Sequence, residues 1–262
     1  MGYTVDQIHK RLNYIDQVYK NECLNYRGKA ETGQYYQEVC AEHFVHMDFP
    51  LQLQNANLTI SRKTKYSAIN HDGKIRGVTR RAEEHLAKII FNTFKNRALK
   101  PLGEMLDYQV PLKNNRNDQA GKIDLISYDG QTLYLIELKD GKSSETLLRA
   151  MMEVATYEQW LDTKKLFLDY GLADNTKVEK AVLFPRENGY LTVDCDQIDK
   201  GILVHLGKLL NLLQVGVCIL DWGGTDFLRE LKNSAELPGP ILFNAVPGLY
   251  TFAKASISLR IP

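Results

Sequence analysis

The amino-acid sequence predicts an α/β protein in which a mixed central β-sheet is flanked by helices. A helix-like segment at about 144–161 separates the third strand-like segment from the fourth, as expected for alternating strands and helices. Several strands are apolar on both faces, so both faces of the sheet need cover. The strand-like segments lie near 106–112, 121–128, 131–139, 178–184 and 214–221.

Composition shifts divide the chain into four regions. Residues 1–60 are predicted to be an N-terminal helical appendage, and 61–78 a basic connector. Residues 79–235 carry the strand pattern and are predicted to form the core. Residues 236–262 are rich in Gly and Pro near their start, and we expect them to pack on the core as short strands.

The N-terminal appendage shows helical periodicity. Apolar residues recur at steps of three and four from Val5 to Val18, which predicts an amphipathic helix over 5–26. A second helix is predicted over 34–46. His43 and His46 are spaced as HxxH on that helix, but no further ligand is near them in the sequence, so we do not predict a metal site there.

The connector is strongly basic. Residues 61–81 contain seven Lys or Arg residues, with Asp72 as the single acid. We expect this segment to bind phosphates without reading sequence, and to be mobile when no polyanion is bound. The basic residues are Arg62, Lys63, Lys65, Lys74, Arg76, Arg80 and Arg81.

A helix is predicted from Thr79, as N-cap, to about Asn96. The helical phase places Glu83 within the apolar stripe and turns Glu84 toward its edge. Glu83 is therefore the unusual acid. The alternative is that it is a first-turn glutamate favoured by the helix dipole.

The segment GKIDLISYDGQTLYLIELKDGK places three charged residues within two apolar strands. Asp129-Gly130 is a favoured two-residue hairpin turn, which predicts Asp124 opposite Leu135. Glu137 and Lys139 then share a face with Asp124. Asp124 and Glu137 become diagonal neighbours roughly 7–8 Å apart.

Two carboxylates held this close repel each other unless a cation or a proton intervenes. Mg²⁺ binds one or two carboxylates, keeps several waters and completes its shell with phosphate oxygens. We therefore expect Asp124 and Glu137 to bind Mg²⁺, Lys139 to orient a water or neutralise the transition state, and Glu83 to add a ligand. The alternative is a structural ion pair between Asp124 and Lys139.

The helix that follows the hairpin carries Arg149, Glu153 and Tyr157 at successive i+4 steps. This stripe is predicted to lie away from the apolar face, which favours a solvated ion pair between Arg149 and Glu153 over a catalytic role. The cysteines are scattered singly without a CxxC pair, which indicates buried thiols and not a zinc or iron–sulfur site.

Residues 79–221 resemble the PD-(D/E)XK nuclease superfamily. The resemblance rests on the order of the motifs, which is a helix with Glu83, then GKID, a hairpin, IELK and a second helix. The resemblance implies a restriction-endonuclease-like αβββαβ core that uses Mg²⁺, or Mn²⁺, to hydrolyse phosphodiester bonds, in DNA more often than in RNA. Asp124 matches the motif aspartate, and Glu137 and Lys139 match the ExK pair. Ile123 stands where the superfamily name has proline.

The resemblance also extends to the helix after the hairpin. Glu153 and Tyr157 are similar to the Q-xxx-Y motif of RecB-like nucleases, with Glu in place of Gln. The resemblance also implies that the partner is nucleic acid. We expect basic residues before the first core helix, and on the helix that follows the hairpin, to bind it. These residues are Lys74, Arg76, Arg80, Arg81 and Arg149.

Charge and hydropathy place limits on these expectations. With 33 basic and 32 acidic side chains the formal net charge is +1, so a polyanion-binding surface must come from local clustering. The N-terminus lacks signal-peptide order and no apolar run is long enough to span a membrane, which predicts a cytoplasmic protein with no membrane partner. Two alternatives stay open: a catalytically inactive nuclease-like binding module, and an interaction protein whose N-terminal helices form a homodimer.

Overall fold

A computed structural model defines the fold. It describes residues 3–12, 18–56, 58–60, 62–67, 71–74, 81–114, 121–222 and 241–245.

A six-stranded mixed sheet forms the centre of the fold, with its strands in chain order from β1 to β6. The first three strands are antiparallel, β3, β4 and β5 are parallel, and β6 is antiparallel to β5. This confirms the predicted α/β class and mixed sheet. The strands are β1 Glu104–Pro111, β2 Lys122–Tyr128, β3 Thr132–Leu138, β4 Lys177–Pro185, β5 Val215–Trp222 and β6 Ile241–Ala245.

Helices cover both faces of the sheet. None of the helices in the described residues is both long and apolar enough to cross a membrane. The α-helices are α1 Val5–Arg11, α2 Tyr36–His46, α3 Phe49–Asn55, α4 Ala82–Phe94, α5 Leu147–Trp160, α6 Thr163–Tyr170, α7 Gly189–Asp199 and α8 Val204–Leu213.

The two faces bury separate apolar clusters. Ile126 and Leu135, which pair across β2 and β3, lie in a cluster that also contains α1, α2, α5 and α8. Leu125 and Ile136, the next cross-strand pair, lie in a cluster with α4. Each strand therefore buries alternate residues against a different layer, which explains why both of its faces are apolar.

The first predicted helix is wrong in its length. The helix α1 begins with a capping box between Thr4 and Gln7 and ends at Arg11, with Leu12 as its C-cap. Two short 3₁₀ helices follow at Val18–Lys20 and Glu22–Asn25, and residues 13–17 lie outside the described chain. The second predicted helix is confirmed as α2.

The N-terminal helices share their apolar core with the sheet. Glu38 on α2 accepts hydrogen bonds from the backbone N–H groups of His205 (2.8 Å) and Leu206 (3.3 Å), in the first turn of α8. Arg27 forms an ion pair with Asp194 on α7, with Nη1 and Oδ1 3.1 Å apart. The predicted appendage is thus tied to elements that follow the sheet's fourth strand.

The described parts of the connector contact the core. Tyr66 is fully buried, its backbone N–H donates to Asp169 Oδ2 (2.7 Å), and its hydroxyl accepts from the Asp162 N–H (3.1 Å). The hydroxyl of Tyr108 accepts from the N–H of Gly73 (3.3 Å). Residues 68–70 and 75–80 lie outside the described chain.

The helix α4 starts later than predicted. It begins at Ala82 with Arg81 at the N-cap position, and it ends at Phe94. Thr79, the predicted N-cap, lies outside the described residues. The predicted apolar stripe is nevertheless buried, since Leu86 and Ile90 lie in the second cluster.

The hairpin turn differs from the predicted one. Its tip is Gly130 and Gln131, and the Asp129 N–H donates to the carbonyl of Thr132 (3.2 Å). Gly130 has φ of 101°, in the region that glycine enters without strain. Asp129 Oδ1 accepts from the N–H groups of Gln131 (2.9 Å) and Thr132 (2.7 Å). The aspartate thus closes the loop instead of forming its tip.

This turn shifts the predicted register by two residues. Ile126 pairs with Leu135, and continuing the same register sets Asp124 opposite Glu137, not opposite Leu135. A shift of one residue would have moved Asp124 to the other face, whereas a shift of two preserves the face. Asp124 and Glu137 therefore share the face that the sequence predicts, and are closer than the diagonal pairing implies.

Close packing at Gly121 gives a test of how α5 sits on the sheet. A methyl group at position 121 would lie 2.1 Å from Tyr157 Oη, so the tyrosine ring or the strand must move. We expect Gly121→Ala to lower the free energy of unfolding by about 1–3 kcal/mol, measured by urea denaturation.

Gly189→Ala is the matched control. Gly189 is the first residue of α7, and no atom lies within 4 Å of the added methyl group. Alanine has the higher helix propensity, so stability should stay unchanged or rise by up to about 1 kcal/mol. Equal losses in both variants would contradict the packing of Tyr157 on Gly121.

Candidate active site at the ends of the second and third strands

Asp124 projects from β2 into a network of N–H donors. Its Oδ1 accepts from Gln109 Nε2 (2.6 Å), and its Oδ2 accepts from the backbone N–H of Leu138 (3.0 Å). Burial raises the pKa of Asp124 to about 6, although Lys139 and these two donors act in the opposite direction. The carboxylate is thus ordered but poorly solvated.

Lys139 lies at the centre of a group of carboxylates and is only 3% exposed. Its Nζ is 2.7 Å from Glu137 Oε1, 2.6 Å from Glu145 Oε2 and 3.5 Å from Glu153 Oε2. Burial lowers the pKa of Lys139, but the three carboxylates outweigh it and hold that pKa well above its usual value. The ammonium is therefore charged, and its neighbours are these glutamates instead of the predicted partner Asp124.

Glu137 is also 3% exposed, and it faces more negative than positive charge. Burial, then the charge of Glu153, raises the pKa of Glu137 well above its ordinary value, and Asp124 adds to this. The Lys139 ammonium opposes the shift without cancelling it. One lysine is shared among several acids, so the cluster has an excess of negative charge when all of them are ionised.

Glu83 and Glu84 diverge as the helical phase predicts. Burial raises the pKa of Glu83 to about 7, and this side chain feels the charges of Lys139 and Asp124. Glu84 turns toward surface cations, with its Oε1 3.3 Å from Lys88 Nζ and its Oε2 3.2 Å from Arg81 Nη1. The structure thus brings Glu83, and not Glu84, toward the cluster.

The stripe on α5 faces the acid cluster, so the prediction of a solvated ion pair is wrong. Tyr157 is 3% exposed, and its hydroxyl donates to Glu153 Oε1 (2.6 Å). Arg149 Nε lies 3.3 Å from Glu145 Oε1, one turn before it, and not against Glu153. Glu153 therefore connects Tyr157 to Lys139.

An open cleft of about 610 Å³ gives solvent access to Asp124 and Glu83. Glu137 and Lys139 lie behind this lining, buried in the protein. The cleft is lined by Arg81, Ala82, Glu83, Glu84, Gln109, Lys122, Asp124 and Asp140.

The rim of the cleft carries basic side chains near the start of α4. Arg81 and Lys122 are both exposed there, and Lys122 Nζ lies 3.9 Å from Glu84 Oε2. Lys74 is exposed and is 3.5 Å from the Asp72 carboxylate. Arg76 and Arg80, the other predicted phosphate-binding residues of the connector, lie outside the described residues.

Gln109 is a site residue that the sequence analysis missed. Its backbone adopts φ of 51°, a left-handed conformation that is uncommon for a residue other than glycine. This conformation accompanies the hydrogen bond to Asp124, and β1 also carries a register shift, between Met105 and Asp107. Local strain of this kind is concentrated at functional sites. No pattern in the sequence marks this residue.

Other missed residues carry weak sequence signals. Glu145 continues the i+4 stripe of Arg149 one step toward the N-terminus. Lys122 lies within the GKID segment itself, and Asp140 directly follows Lys139. Each of these signals is recognisable only once the site has been located.

Comparison with known protein families, with curated proteins and with solved structures finds no match to this chain.

Because Glu83 and Glu84 lie in opposite environments, replacing each of them should change the stability of the fold in opposite directions. The pKa of Glu83 rises from 4.5 to about 7 on folding, so the folded chain holds more protons than the unfolded chain between these values. Stability therefore falls as pH rises through this window. Without divalent cations, Glu83→Gln should raise the free energy of unfolding by about 1–3 kcal/mol at about pH 8 and much less at about pH 5.

Glu84→Gln is the matched control. Burial raises the pKa of Glu84, but Arg81, Lys122 and Lys88 outweigh it and lower that pKa below 4.5. The ionised form therefore stabilises the fold above its unfolded pKa, and its removal should cost up to about 1 kcal/mol at about pH 8. Thermal melts across pH measure both variants. A loss of stability in Glu83→Gln at about pH 8 would contradict the assigned environment.

Proposed function

We propose that this protein is a metal-dependent nuclease that hydrolyses phosphodiester bonds of nucleic acid, with DNA as the expected substrate. The observation that carries the proposal is the group of buried acids around one lysine, at the ends of two adjacent strands and next to an open cleft. Asp124 and Glu137 are the proposed metal ligands, with Glu83 as a third.

The charge balance of the cluster argues against a purely structural ion pair. A structural role for Lys139 needs one carboxylate, yet Glu137, Glu145 and Glu153 all lie within 3.5 Å of its Nζ. Keeping extra acids ionised in a buried site is unfavourable unless another cation shares them. An arrangement that destabilises the protein without a cation is typical of a site built to bind one.

The donor atoms suit a hard divalent cation. Asp124, Glu137 and Glu83 offer carboxylate oxygens, which Mg²⁺ prefers and Mn²⁺ also accepts. When bound, the ion would lower the pKa of a coordinated water and neutralise charge on the scissile phosphate. Asp124 is already oriented by the Leu138 N–H and by Gln109, so little ordering remains for binding.

Lys139 is the proposed electrostatic residue. Its ammonium is charged and held 2.7 Å from Glu137, so it is fixed beside the ligands and cannot swing into solvent. From this position its charge can stabilise the negative charge that develops on the attacking water and on the phosphate. Glu153 and Glu145 fix its orientation, and Tyr157 in turn holds Glu153.

The order of elements supports the resemblance to the PD-(D/E)XK superfamily. The elements α4, β1, β2, β3, α5 and β4 follow one another as in an αβββαβ core, with α6 added before β4. Glu83 is on the first helix, Asp124 on the second strand, and Glu137 at the end of the third. Fold order alone does not define an activity, so the acids carry the argument.

The basic rim suggests how a nucleic acid would approach. Arg81 and Lys122 flank the cleft that exposes Asp124, and Glu84 lies near both cations. Lysine and arginine contacts to phosphates give affinity without sequence information. A backbone bound at this rim would bring a phosphodiester close to the acids.

A nuclease-like module that binds nucleic acid without cutting it is the second candidate. The exposed cations Arg81 and Lys122 fit this function as well as they fit a nuclease. The buried set of Asp124, Glu137 and Lys139 favours hydrolysis, because binding alone does not need it. Cleavage assays on wild-type protein separate the two.

The proposed chemistry predicts a metal-dependent activity that depends on the acids. Wild-type protein should cleave nucleic acid with Mg²⁺ or Mn²⁺ and not with EDTA. Asp124→Asn and Glu137→Gln should each lower the rate by at least about 100-fold, because each removes a ligand charge. Circular and linear, single- and double-stranded DNA and RNA should be assayed in parallel, since only an endonuclease cuts circles.

Lys142→Ala is the control for Lys139→Ala, since Lys142 is an exposed lysine three residues away. The Lys142 variant should keep full activity. Lys139→Ala should lose activity and also stability, because it leaves Glu137 buried without its cation. A double variant, Glu137→Gln with Lys139→Met, should recover stability but not activity.

Full activity in Asp124→Asn, or binding without cleavage by the wild type, would overturn the nuclease assignment.

The cleft rim predicts salt-dependent binding. Arg81→Ala with Lys122→Ala should weaken binding to all sequences alike and flatten the dependence of affinity on salt, by up to about two released counterions. Binding should be measured in Ca²⁺ or on uncleaved complexes of Asp124→Asn. The control pair is Lys200→Ala with Lys208→Ala, two exposed lysines of the α7–α8 region that do not line the cleft. Parallel salt slopes for the two double variants would contradict this role.

A further inference from the structure

A second group of potential ligands lies between α2 and α8, apart from the acid cluster. Glu42 and His46 are one turn apart on α2, and His205 is in the first turn of α8. One ligand atom from each of the three residues lies within 4.8 Å of the others. His46 is exposed, and Glu42 and His205 are half-buried, so the group is accessible from solvent.

We propose that Glu42, His46 and His205 bind one transition-metal ion of the zinc class, which joins α2 to α8. Two imidazoles and a carboxylate are the donor set that suits Zn²⁺ and its neighbours, whereas Mg²⁺ prefers oxygen alone. Tetrahedral coordination at about 2.0–2.1 Å sets donor atoms about 3.3 Å apart. Binding would therefore draw the three donor atoms closer together, through rotation of the exposed His46 and the half-buried Glu42 side chains.

The orientation of His205 supports the site independently of the three donors. Its Nδ1 lies 2.8 Å from Oε1 of Glu38, a buried carboxylate on the same helix as the other two ligands. This contact holds the ring in place and leaves Nε2 as the nitrogen for a metal. A carboxylate that binds the second nitrogen of a ligating histidine is a recurrent feature of zinc sites.

Helix capping explains only part of this arrangement. Glu38 accepts from the N–H groups of His205 and Leu206, so it would be useful at the start of α8 without any metal. Capping does not require an imidazole at position 205, nor His46 and Glu42 beside it. The convergence of these three side chains is what capping leaves unexplained.

His43 is not part of the converging set, although it forms an HxxH pair with His46. Its ring stacks on that of His9, with centroids 4.5 Å apart. Its Nε2 is buried and has no hydrogen-bond partner among the described residues. The HxxH spacing thus pairs His46 with His43, whereas the second histidine of the proposed site is His205 on α8.

Three protein ligands leave at least one coordination position for water. This count is typical of open sites, whereas closed structural zinc sites use four protein ligands. The ion would stabilise the packing of α2 on α8, because both helices must be in place to bind it.

The test uses the 262-residue chain without a histidine tag, stripped with EDTA and titrated with Zn²⁺ in excess Mg²⁺. Calorimetry should give one Zn²⁺ per chain, and the melting temperature should rise by about 3–5 °C. Co²⁺ in place of Zn²⁺ should give the visible absorption of a four-coordinate site with nitrogen ligands.

Matched variants locate the ion. His205→Asn keeps a donor to Glu38 but removes Nε2, and it should weaken Zn²⁺ affinity by at least about 100-fold, as should His46→Asn. Glu38→Gln should weaken affinity by about 10-fold through its effect on His205. His43→Gln should bind as the wild type does, and so should Asp124→Asn, which excludes binding at the acid cluster.

Each outcome bears on the proposal. Absence of Zn²⁺ binding by folded wild-type protein overturns it, as does binding that survives in the folded His205→Asn variant. Loss of binding in His43→Gln would replace the proposed ligand set. Loss in Asp124→Asn with retention in His46→Asn would move the ion to the acid cluster. Far-ultraviolet circular dichroism of each metal-free variant verifies the fold.

Discussion

The arrangement of the site depends on the contacts between the buried ammonium of Lys139 and the carboxylates around it. The ammonium attracts Glu137 from the end of β3, Glu145 from the segment before α5, and Glu153 from α5 itself. These acids would repel one another without it, so α5 is held to the sheet by charge as well as by apolar packing. Lys180 on β4 is a second buried lysine that contacts α5, through Glu158.

Strand parity made the shared face of the acids predictable from the sequence. A hairpin with an even shift in register leaves the same residues on the same face, so the error in the turn did not separate Asp124 from Glu137. The phase of α4 was predictable for a similar reason, because apolar spacing fixes which of Glu83 and Glu84 turns inward. The role of these residues in catalysis stays a prediction.

Contacts between residues far apart in the chain were not predictable. Periodicity continues past Arg11, so it cannot detect that α1 ends there and that Asn21 caps a new 3₁₀ helix. The i+4 stripe on α5 was predicted to be solvated because the sequence shows its charges but does not show that Lys139 lies beneath it. His205 is separated from Glu38 by 167 positions, and no local pattern connects them.

The contacts of the Glu38 carboxylate also show how closely the N-terminal region is connected to the rest of the chain. This carboxylate supplies hydrogen-bond acceptors to the first turn of α8, while Arg27 reaches Asp194 on α7 and Ile8 lies in the same apolar cluster as Leu206. Removing the first helices would leave α8 with unsatisfied N–H groups and would expose to water the apolar side chains of α5 and α8 that pack against them. The N-terminal region and the sheet therefore share one apolar cluster, and the candidate cleft belongs to a fold that is supported by helices which contribute no residue to its lining.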